Sequence, residues 1–579
     1  MPASNSRLAF AAAAALYLTL STATGLWWEW EHDEGVTWSQ TFGMPAIASA
    51  DQDSPIEQAY RRINGQTNRT SLGVLSALGT GGGMHPPAYY LLLHQWADWF
   101  GTQRLTVRLP IYLSGLLSLL AIRGVARRLL CQRAGTWAMF LLAASPWFVG
   151  FSNLSRPYAL ALCAALVSTN TFLMALESGK LRWRLAFVSA SLLGLYTIYP
   201  YVYILGWQLA TWFVCASGWG QPLPERQNTE AETSRTSGGA NWSEFFALVS
   251  VTLLIALCFA PWLPQLLAHL EVTAGRTWYF SGTLPWADVP ERSWWLLRSF
   301  VLGEALRAFG ATGLRSACAV LITITAGLGA YSLLWRPRTA APIPAGPRAA
   351  WACMLLVPLA MALADQLRDT HTLFLTRQSF ALFPLLLLCT VRVLTRHRIQ
   401  WLGTLGLACW LALLAGSTIS NVYTRARTAT AVETVAKILK RSDRSTTRLI
   451  LSGPVPGFVI PLLLTLRDEG VRELRVQYAS GEELYQLVES AIRDEEHTAA
   501  LRLVNFAGQY RTEDRWSDRL LTAVERRASA VGWRVRSANP GPARGMRGES
   551  PPALILDSLG TPNLNLLILT PVGAKSFDL

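Results

Sequence analysis

The fold is decided by the stretch from Trp27 to Trp96, whose two ends carry the sequences EHDE (residues 31–34) and MHPPAYY (residues 84–90). An apolar run over residues 8–26 precedes it and is long enough to cross about 30 Å of hydrocarbon. The stretch is therefore predicted to be a loop that leaves the membrane after the first span. Its carboxylates form either a solvated acidic rim or part of a functional site.

The composition excludes an ordinary soluble protein, because 51% of the 579 residues are hydrophobic and only 15% are charged. Many of the arginines fall between apolar runs, as in loops that face the cytoplasm, so the net charge of +14 does not predict a nucleic-acid partner. The eight cysteines form no CxxC pair and no zinc spacing, which favours plain buried side chains.

Apolar runs of membrane-crossing length predict about eleven transmembrane helices. The first is interpreted as an uncleaved signal anchor. The predicted spans are residues 8–26, 105–123, 134–151, 157–176, 183–199, 201–218, 244–264, 311–334, 349–366, 378–394 and 400–420.

The orientation depends on residues 86–100, which are apolar but too few for a comfortable span. If they lie flat at the interface, the arginine-rich loops all fall in the cytoplasm; if they cross, every later basic loop moves to the wrong side. Residues 86–100 are therefore predicted to be an interfacial helix. The first loop, the turn at 151–157, the loop at 367–377 and the chain after residue 420 are then outside.

The pattern changes near residue 421, where apolar runs shrink to strand length and alternate with helical segments. This alternation predicts a small extracytoplasmic α/β domain over residues 421–579, following a membrane domain over residues 1–420 whose first outer loop covers residues 27–104. The domain contains no Gly-rich phosphate loop, so no site is predicted within it. Guiding an acceptor and simple structural capping are both open roles for it.

Ionisable residues at the predicted outer boundary are candidates for function, because burial near a membrane is costly. A carboxylate pair facing cations suits a reaction in which a hydroxyl loses a proton while a leaving group gains negative charge. The two arginines have an alternative as snorkelling residues at span ends. No metal site is predicted, because His269 and His371 are isolated. The candidates are Asp33, Glu34, His85, Arg156 and Arg377.

Several of these residues lie in motifs that resemble the GT-C membrane glycosyltransferases, in the branch of the protein O-mannosyltransferases and lipid A aminoarabinose transferases. Asp33-Glu34 after the first span and the HPPAYYLLLH sequence at 85–94 resemble the start of that family. The Arg-Leu-Pro sequence at 108–110 and the Ser-Arg-Pro-Tyr sequence at 155–158 continue the pattern, and Arg377 with Pro384 resembles a fourth motif. The family commonly has Tyr where Gln378 stands, and the aminoarabinose branch has an acidic residue where Met84 stands.

The resemblance implies an inverting transfer of a sugar from a polyprenyl phosphate to an extracytoplasmic acceptor, with no cofactor assigned. It makes Asp33 the general base, with Glu34 as a helper or a packing partner of the loop. Facing the donor phosphate are His85 and Arg156, with Arg377 as a third cation. Two tyrosines are expected to bind substrate, namely Tyr89 and Tyr158.

The implied partners are the lipid-linked sugar donor, membrane lipids and an acceptor that is a lipid, a glycan or a protein. The implied location is an integral membrane protein, in the inner (plasma) membrane of a bacterium, with its active site outside. An alternative is a transporter or flippase of lipid-linked sugars, which requires charges deep in the spans or a repeated hydropathy pattern. The sequence shows neither. A third alternative, a membrane-anchored scaffold for the C-terminal domain, leaves the acidic first loop unexplained.

Overall fold

A computed structural model describes certain ranges of the chain. They are residues 3–27, 30, 32–42, 54–56, 60, 70–80, 85–217, 242–276, 287–302, 353, 356–368, 380, 382–395, 400–427, 440, 448–452, 459–471, 475–478, 501–507, 533–538 and 563–571.

The described chain is mostly helical, and five of its helices are long and apolar enough to cross a membrane. The helices are α1 Ala3–Trp27, α2 His32–Phe42, α3 Ser71–Thr80, α4 Ala88–Phe100, α5 Arg104–Leu129, α6 Gln132–Ala144, α7 Pro146–Phe151, α8 Tyr158–Ser178, α9 Leu181–Leu195, α10 Tyr201–Ala216, α11 Trp242–Phe259, α12 Leu263–Arg276, α13 Val289–Leu302, α14 Val357–Arg368, α15 Leu382–Thr395, α16 Gln400–Arg427 and α17 Ile460–Asp468, with a 3₁₀ turn at Ala260–Trp262.

The five candidate spans, at 6–26, 104–129, 158–178, 242–270 and 400–423, overlap predicted spans and support an integral membrane protein. The span predicted at 311–334 lies outside the described residues, so the number eleven stays a prediction. Helix α4 has only 13 residues. At 1.5 Å per residue it is about 20 Å long, which agrees with an interfacial helix.

The span predicted at 134–151 is divided into α6 and α7. Pro146 has no N–H to continue the helix, and Ser145 starts the new one by accepting a bond from the backbone N–H of Phe148. The Ala144 carbonyl that the break exposes accepts a bond from the Thr418 hydroxyl, at 2.8 Å. The break therefore does not leave the Ala144 carbonyl without a hydrogen bond. It also places the 152–157 turn at the end of a short separate helix.

Six strands form one mixed sheet in the order β1-β3-β2-β4-β6-β5. Strands β3, β2 and β4 are mutually parallel, whereas β1, β5 and β6 pair antiparallel with their neighbours. The bounds are β1 Ser54–Pro55, β2 Arg448–Ser452, β3 Arg475–Tyr478, β4 Leu501–Ala507, β5 Trp533–Ala538 and β6 Asn563–Pro571. A separate C-terminal α/β domain remains a prediction, because the first loop supplies strand β1.

The buried apolar residues form two clusters. The first lies among the long helices and takes in α1, α5, α6, α8 and their neighbours, as expected of helices that are apolar on most faces. The second joins the first loop to the C-terminal segment: Trp38 of α2 and Tyr89 of α4 share it with Leu463 of α17 and Val476 of β3. Residues more than 400 positions apart in sequence therefore pack in one core.

A close contact between helices near the end of α1 allows a prediction about the stability of the protein. A Cβ on Gly25 would lie 2.5 Å from the Tyr112 hydroxyl and 2.6 Å from Oδ1 of Asn153, two atoms that are themselves hydrogen-bonded. We expect Gly25→Ala to destabilise the protein by about 1–3 kcal/mol, because the extra methyl overpacks the contact.

The control is Gly206→Ala, since nothing lies within 4 Å of a Cβ at that position of α10. It should change stability by less than about 1 kcal/mol. Thermal unfolding of both variants in detergent makes the comparison, and equal midpoints for the two would contradict the close packing of α1 against α5.

Candidate active site

Asp33 and Glu34 lie in the first turn of α2. Acidic side chains are favourable there, because the exposed N–H groups at a helix N-terminus carry partial positive charge. Their environments differ sharply: the Asp33 side chain is 31% exposed, whereas that of Glu34 is fully buried. Asp33 can therefore reach a molecule outside the protein, and Glu34 cannot.

Arg156 joins three separate segments around Asp33. One of its terminal nitrogens donates to the Asp33 backbone carbonyl at 3.2 Å and to the Thr37 hydroxyl at 3.0 Å. The other lies 3.7 Å from Oδ2 of Asp33 and donates to Nε2 of His85 at 3.2 Å. Because a guanidinium only donates, His85 accepts through Nε2, which assigns the proton of its neutral ring to Nδ1.

The Arg156 guanidinium keeps its positive charge although it is buried. Burial opposes that charge, but the phenol of Tyr158, the carboxylate of Asp33 and the phenol of Tyr90 outweigh it, and together they raise the pKa of Arg156 above its ordinary value. The guanidinium also lies 5.7 Å from the centre of the Tyr158 ring. A permanent cation therefore adjoins the one partly exposed carboxylate of this site.

Glu34 is held on the other side of α2 by an interior ion pair. Both of its carboxylate oxygens lie 3.4 Å from the same nitrogen of Arg108, and both side chains are fully buried. Oε1 of Glu34 also accepts a 2.7 Å bond from the backbone N–H of Ser155, next to Arg156. Glu34 thus connects α2, α5 and the 152–157 turn.

Arg108 is a site residue that the sequence analysis did not single out, although its Arg-Leu-Pro motif was noted. It also donates to the Gly25 carbonyl at 3.3 Å and lies 5.6 Å from the centre of the Trp30 ring. The available signal was an arginine four residues into a long apolar helix, a position that is costly without a buried partner. What the sequence did not show was the identity of that partner.

The other predicted residues fall in different places. Tyr89 is buried and its hydroxyl lies 3.2 Å from that of Ser155, and Tyr158 is buried beside Arg156 and His85. Both tyrosines therefore pack beneath the site as buried side chains, and their binding of substrate stays a prediction. Burial raises the pKa of Tyr89 above its ordinary value, so its hydroxyl stays protonated. Arg377 lies outside the described residues.

A largely apolar cavity of about 860 Å³ lies at the start of α4, the helix that follows His85 in the chain. Pro87 and Ala88 line it, and they follow His85 by two and three residues. The Ala88 N–H donates to the Tyr196 carbonyl at 2.8 Å, which ties the start of α4 to the end of α9. The remaining lining comes from α3, α4, α9 and the residue after it, the 3₁₀ turn before α12, and α12 itself: Leu75, Ser76, Gly79, Leu91, Leu192, Leu193, Tyr196, Pro261, Trp262 and Gln265.

Two of the described histidines outside the site, His94 and His269, are occupied in packing. Nδ1 of His94 lies 3.2 Å from Asp98 on α4, and His269 bridges the Tyr199 hydroxyl and the Leu78 carbonyl. Among the residues that the structure describes, no group of three His, Cys, Asp or Glu side chains is arranged to hold a metal ion.

Comparison with known proteins supports the class that the motifs indicate. Residues 84–224 match the family model of dolichyl-phosphate-mannose-protein mannosyltransferase. The matched region contains His85, Arg108 and Arg156 but not Asp33. It confirms the resemblance to the GT-C membrane glycosyltransferases and supports a membrane glycosyltransferase of that general kind. Comparison with the curated proteins finds no match.

Solved structures of two membrane enzymes align with the chain. Oligosaccharyltransferase from Archaeoglobus fulgidus, in complex with Zn and sulfate, aligns at 14% identity and a TM-score of 0.39 over 76% of this chain and 62% of that one. The chain thus spans less than two thirds of that enzyme. ArnT from Cupriavidus metallidurans, bound to undecaprenyl phosphate, aligns at 13% identity and a TM-score of 0.39 over 100% of both chains.

Proposed function

We propose that the protein transfers a sugar from a polyprenyl phosphate to a hydroxyl-bearing acceptor at the outer face of the membrane. The observation that carries the proposal is the meeting of Asp33, His85 and Arg156, from three distant segments, in one place. A transporter would spread such charges along a path through the bilayer. Here they share one group of contacts beside an apolar cavity.

In the proposed reaction, Asp33 accepts the proton of the acceptor hydroxyl as its oxygen attacks C1 of the sugar. The bond between C1 and the phosphate oxygen breaks, and the polyprenyl phosphate leaves with the bonding electrons. A single displacement inverts the configuration at C1. The carboxylate can act as base because its partial exposure leaves it accessible to the acceptor hydroxyl.

His85 and Arg156 are proposed to stabilise the phosphate, where negative charge develops as the sugar departs. Arg156 has a second role in this proposal, because it already fixes both the carboxylate and the backbone of Asp33. Arg377 is proposed as a further cation. Glu34 is proposed as a positioning residue rather than a catalytic one, since its carboxylate is buried against Arg108.

The cavity next to His85 suits the lipid part of the donor, because apolar side chains dominate its lining. The description of the matched family names dolichyl-phosphate mannose, a sugar donor in which the mannose is carried on a polyprenyl-type lipid phosphate.

We propose a catalytic membrane domain at residues 1–420 and an outer domain at residues 421–579. The proposed location is the plasma membrane of a bacterium, with the site on the extracytoplasmic side.

The test is a transfer assay with the purified full-length protein in lipid vesicles. Defined polyprenyl-phosphate sugars, labelled in the sugar, are supplied and the release of unglycosylated polyprenyl phosphate is measured with candidate lipid, glycan and protein acceptors. Release that depends on an acceptor supports the proposal. Movement of intact labelled donor across the vesicle membrane, without cleavage, would instead establish the transporter.

Narrowing the cavity should weaken donor binding. We expect Leu193→Trp to raise the KM for a long-chain polyprenyl-phosphate sugar at least tenfold while kcat changes little, because the lost contact is made equally in the ground and transition states. A short-chain, water-soluble donor should be unaffected. Leu185→Trp is the matched control, since Leu185 is exposed on the same helix and does not line the cavity. Equal KM values for the two variants would remove the cavity from donor binding.

A further inference from the structure

Helix α17, in the C-terminal segment, contacts Trp30 through its last residue. Trp30 is the same tryptophan whose ring lies under the Arg108 guanidinium. Oδ2 of Asp468, the last residue of α17, accepts a 2.8 Å hydrogen bond from the indole N–H of Trp30. Trp30 is 3% exposed and lies two residues before α2, the helix that carries Asp33. A buried indole N–H needs a partner, and a carboxylate is a strong one.

From Trp30 the contacts continue through Arg108 to Glu34, the neighbour of Asp33 in sequence. The Arg108 guanidinium lies 5.6 Å from the centre of the Trp30 ring, and Arg108 pairs with Glu34, the residue after Asp33. Trp30 also meets the ring of Trp38 edge-on, at 5.1 Å between centres. Trp38 is itself on α2 and fully buried. The indole of Trp30 is therefore packed between the C-terminal helix and two residues that fix the orientation of α2.

Four other contacts attach the C-terminal segment to the first loop and its surroundings. Arg467 donates to the Thr102 carbonyl at 3.0 Å, and its guanidinium lies 6.0 Å from the centre of the Trp38 ring. The Tyr60 hydroxyl donates to the Val471 carbonyl at 2.8 Å. Strand β1 of the first loop pairs with β3. Helix α17 is packed in the same core as α2, and these contacts hold its last residue, Asp468, in place.

We infer that Asp468 is a positioning residue for the active site: through Trp30 and the Arg108–Glu34 pair it sets the orientation of Asp33. The inference rests on the proposed function of Asp33. It assigns the C-terminal segment a part in the reaction itself, beyond capping the membrane domain. Small displacements of a catalytic group lower the rate of the chemical step more than they lower substrate binding, because binding depends on many other contacts.

The test measures kcat and KM of the full-length protein for both substrates in four variants. Asp468→Ala should lower kcat at least tenfold while both KM values stay within about twofold, since about 1 Å of misplacement can cost 100-fold in rate. Asp468→Asn should keep most of the activity, because its amide oxygen can still accept the indole bond. Trp30→Phe keeps a ring and removes the donor, so it should match Asp468→Ala. The double variant that combines Asp468→Ala with Trp30→Phe should be no slower than either single variant, because both substitutions remove the same Trp30–Asp468 hydrogen bond.

Glu469→Ala is the matched control, because Glu469 is the next residue and pairs with the partly exposed Lys440 at 2.8 Å. Its kcat should equal that of the wild type. Unchanged kcat in Asp468→Ala, or losses that multiply in the double variant, would overturn the inference. If Asp468→Ala does not fold, Trp30→Phe decides by the same kcat criterion. Failure of the proposed function is a different result: it appears as transfer activity that survives Asp33→Asn.

Discussion

Replacing Asp33 by asparagine should abolish sugar transfer without unfolding the protein. The amide has the same size as the carboxylate but cannot take up the proton of the acceptor hydroxyl. General base catalysis contributes about 10²–10⁴-fold in rate, so kcat should fall by at least 100-fold. The fold should survive, because the Asp33 side chain is partly exposed and its backbone carbonyl keeps its bond from Arg156. Transfer assays and thermal unfolding in detergent measure the two quantities.

Asp98→Asn is the control for this substitution. Asp98 is an exposed carboxylate on α4 that pairs with His94, and the proposed reaction does not use it. Its kcat should match that of the wild type. An Asp33→Asn variant that transfers sugar at the wild-type rate would exclude Asp33 as the base, whatever the control does.

The second large effect concerns stability. Arg108→Met should destabilise the protein by about 3–5 kcal/mol, because it leaves the Glu34 carboxylate buried without its counter-charge. Methionine fills much of the same volume, so the loss reports the charge more than a cavity. Adding Glu34→Gln to this variant should restore part of the stability, since a neutral amide needs no cation and can still accept the bond from Ser155.

The control for Arg108 lies one turn earlier on the same helix. The Arg104 side chain is 30% exposed, and its Nε lies 3.5 Å from Oδ2 of Asp468. Arg104→Met should therefore cost less than about 1 kcal/mol. Unfolding of the three variants in detergent gives the comparison. A double variant less stable than Arg108→Met alone would show that Glu34 does not depend on Arg108.

The meeting of Asp33, His85 and Arg156 could be expected from the sequence. The spacing of apolar runs and the distribution of arginines predict that the three segments lie on one side of the membrane. The short helix after Pro87 followed from the same reasoning, and its position at the interface stays a prediction. The break at Pro146 was visible as a Ser-Pro pair, but an apolar run of span length hid it.

Other features of the site depend on tertiary contacts that no local pattern reports. Adjacent residues on a helix point about 100° apart, so Asp33 and Glu34 could face different surroundings, but the sequence did not say which of them is buried. The pairing of Glu34 with Arg108 links residues 74 positions apart, and that of Trp30 with Asp468 links residues 438 positions apart. The contribution of the C-terminal segment to the first loop was for this reason invisible before the structure.

The central claim is that one outward-facing pocket holds the donor phosphate beside Asp33. A cryo-electron microscopy structure of the protein with a polyprenyl phosphate bound tests it most directly. We expect the phosphate within hydrogen-bond distance of His85 or Arg156 and the prenyl chain in the cavity lined by Leu91 and Leu193. A phosphate bound at the opposite face of the membrane, or far from both His85 and Arg156, would contradict the account.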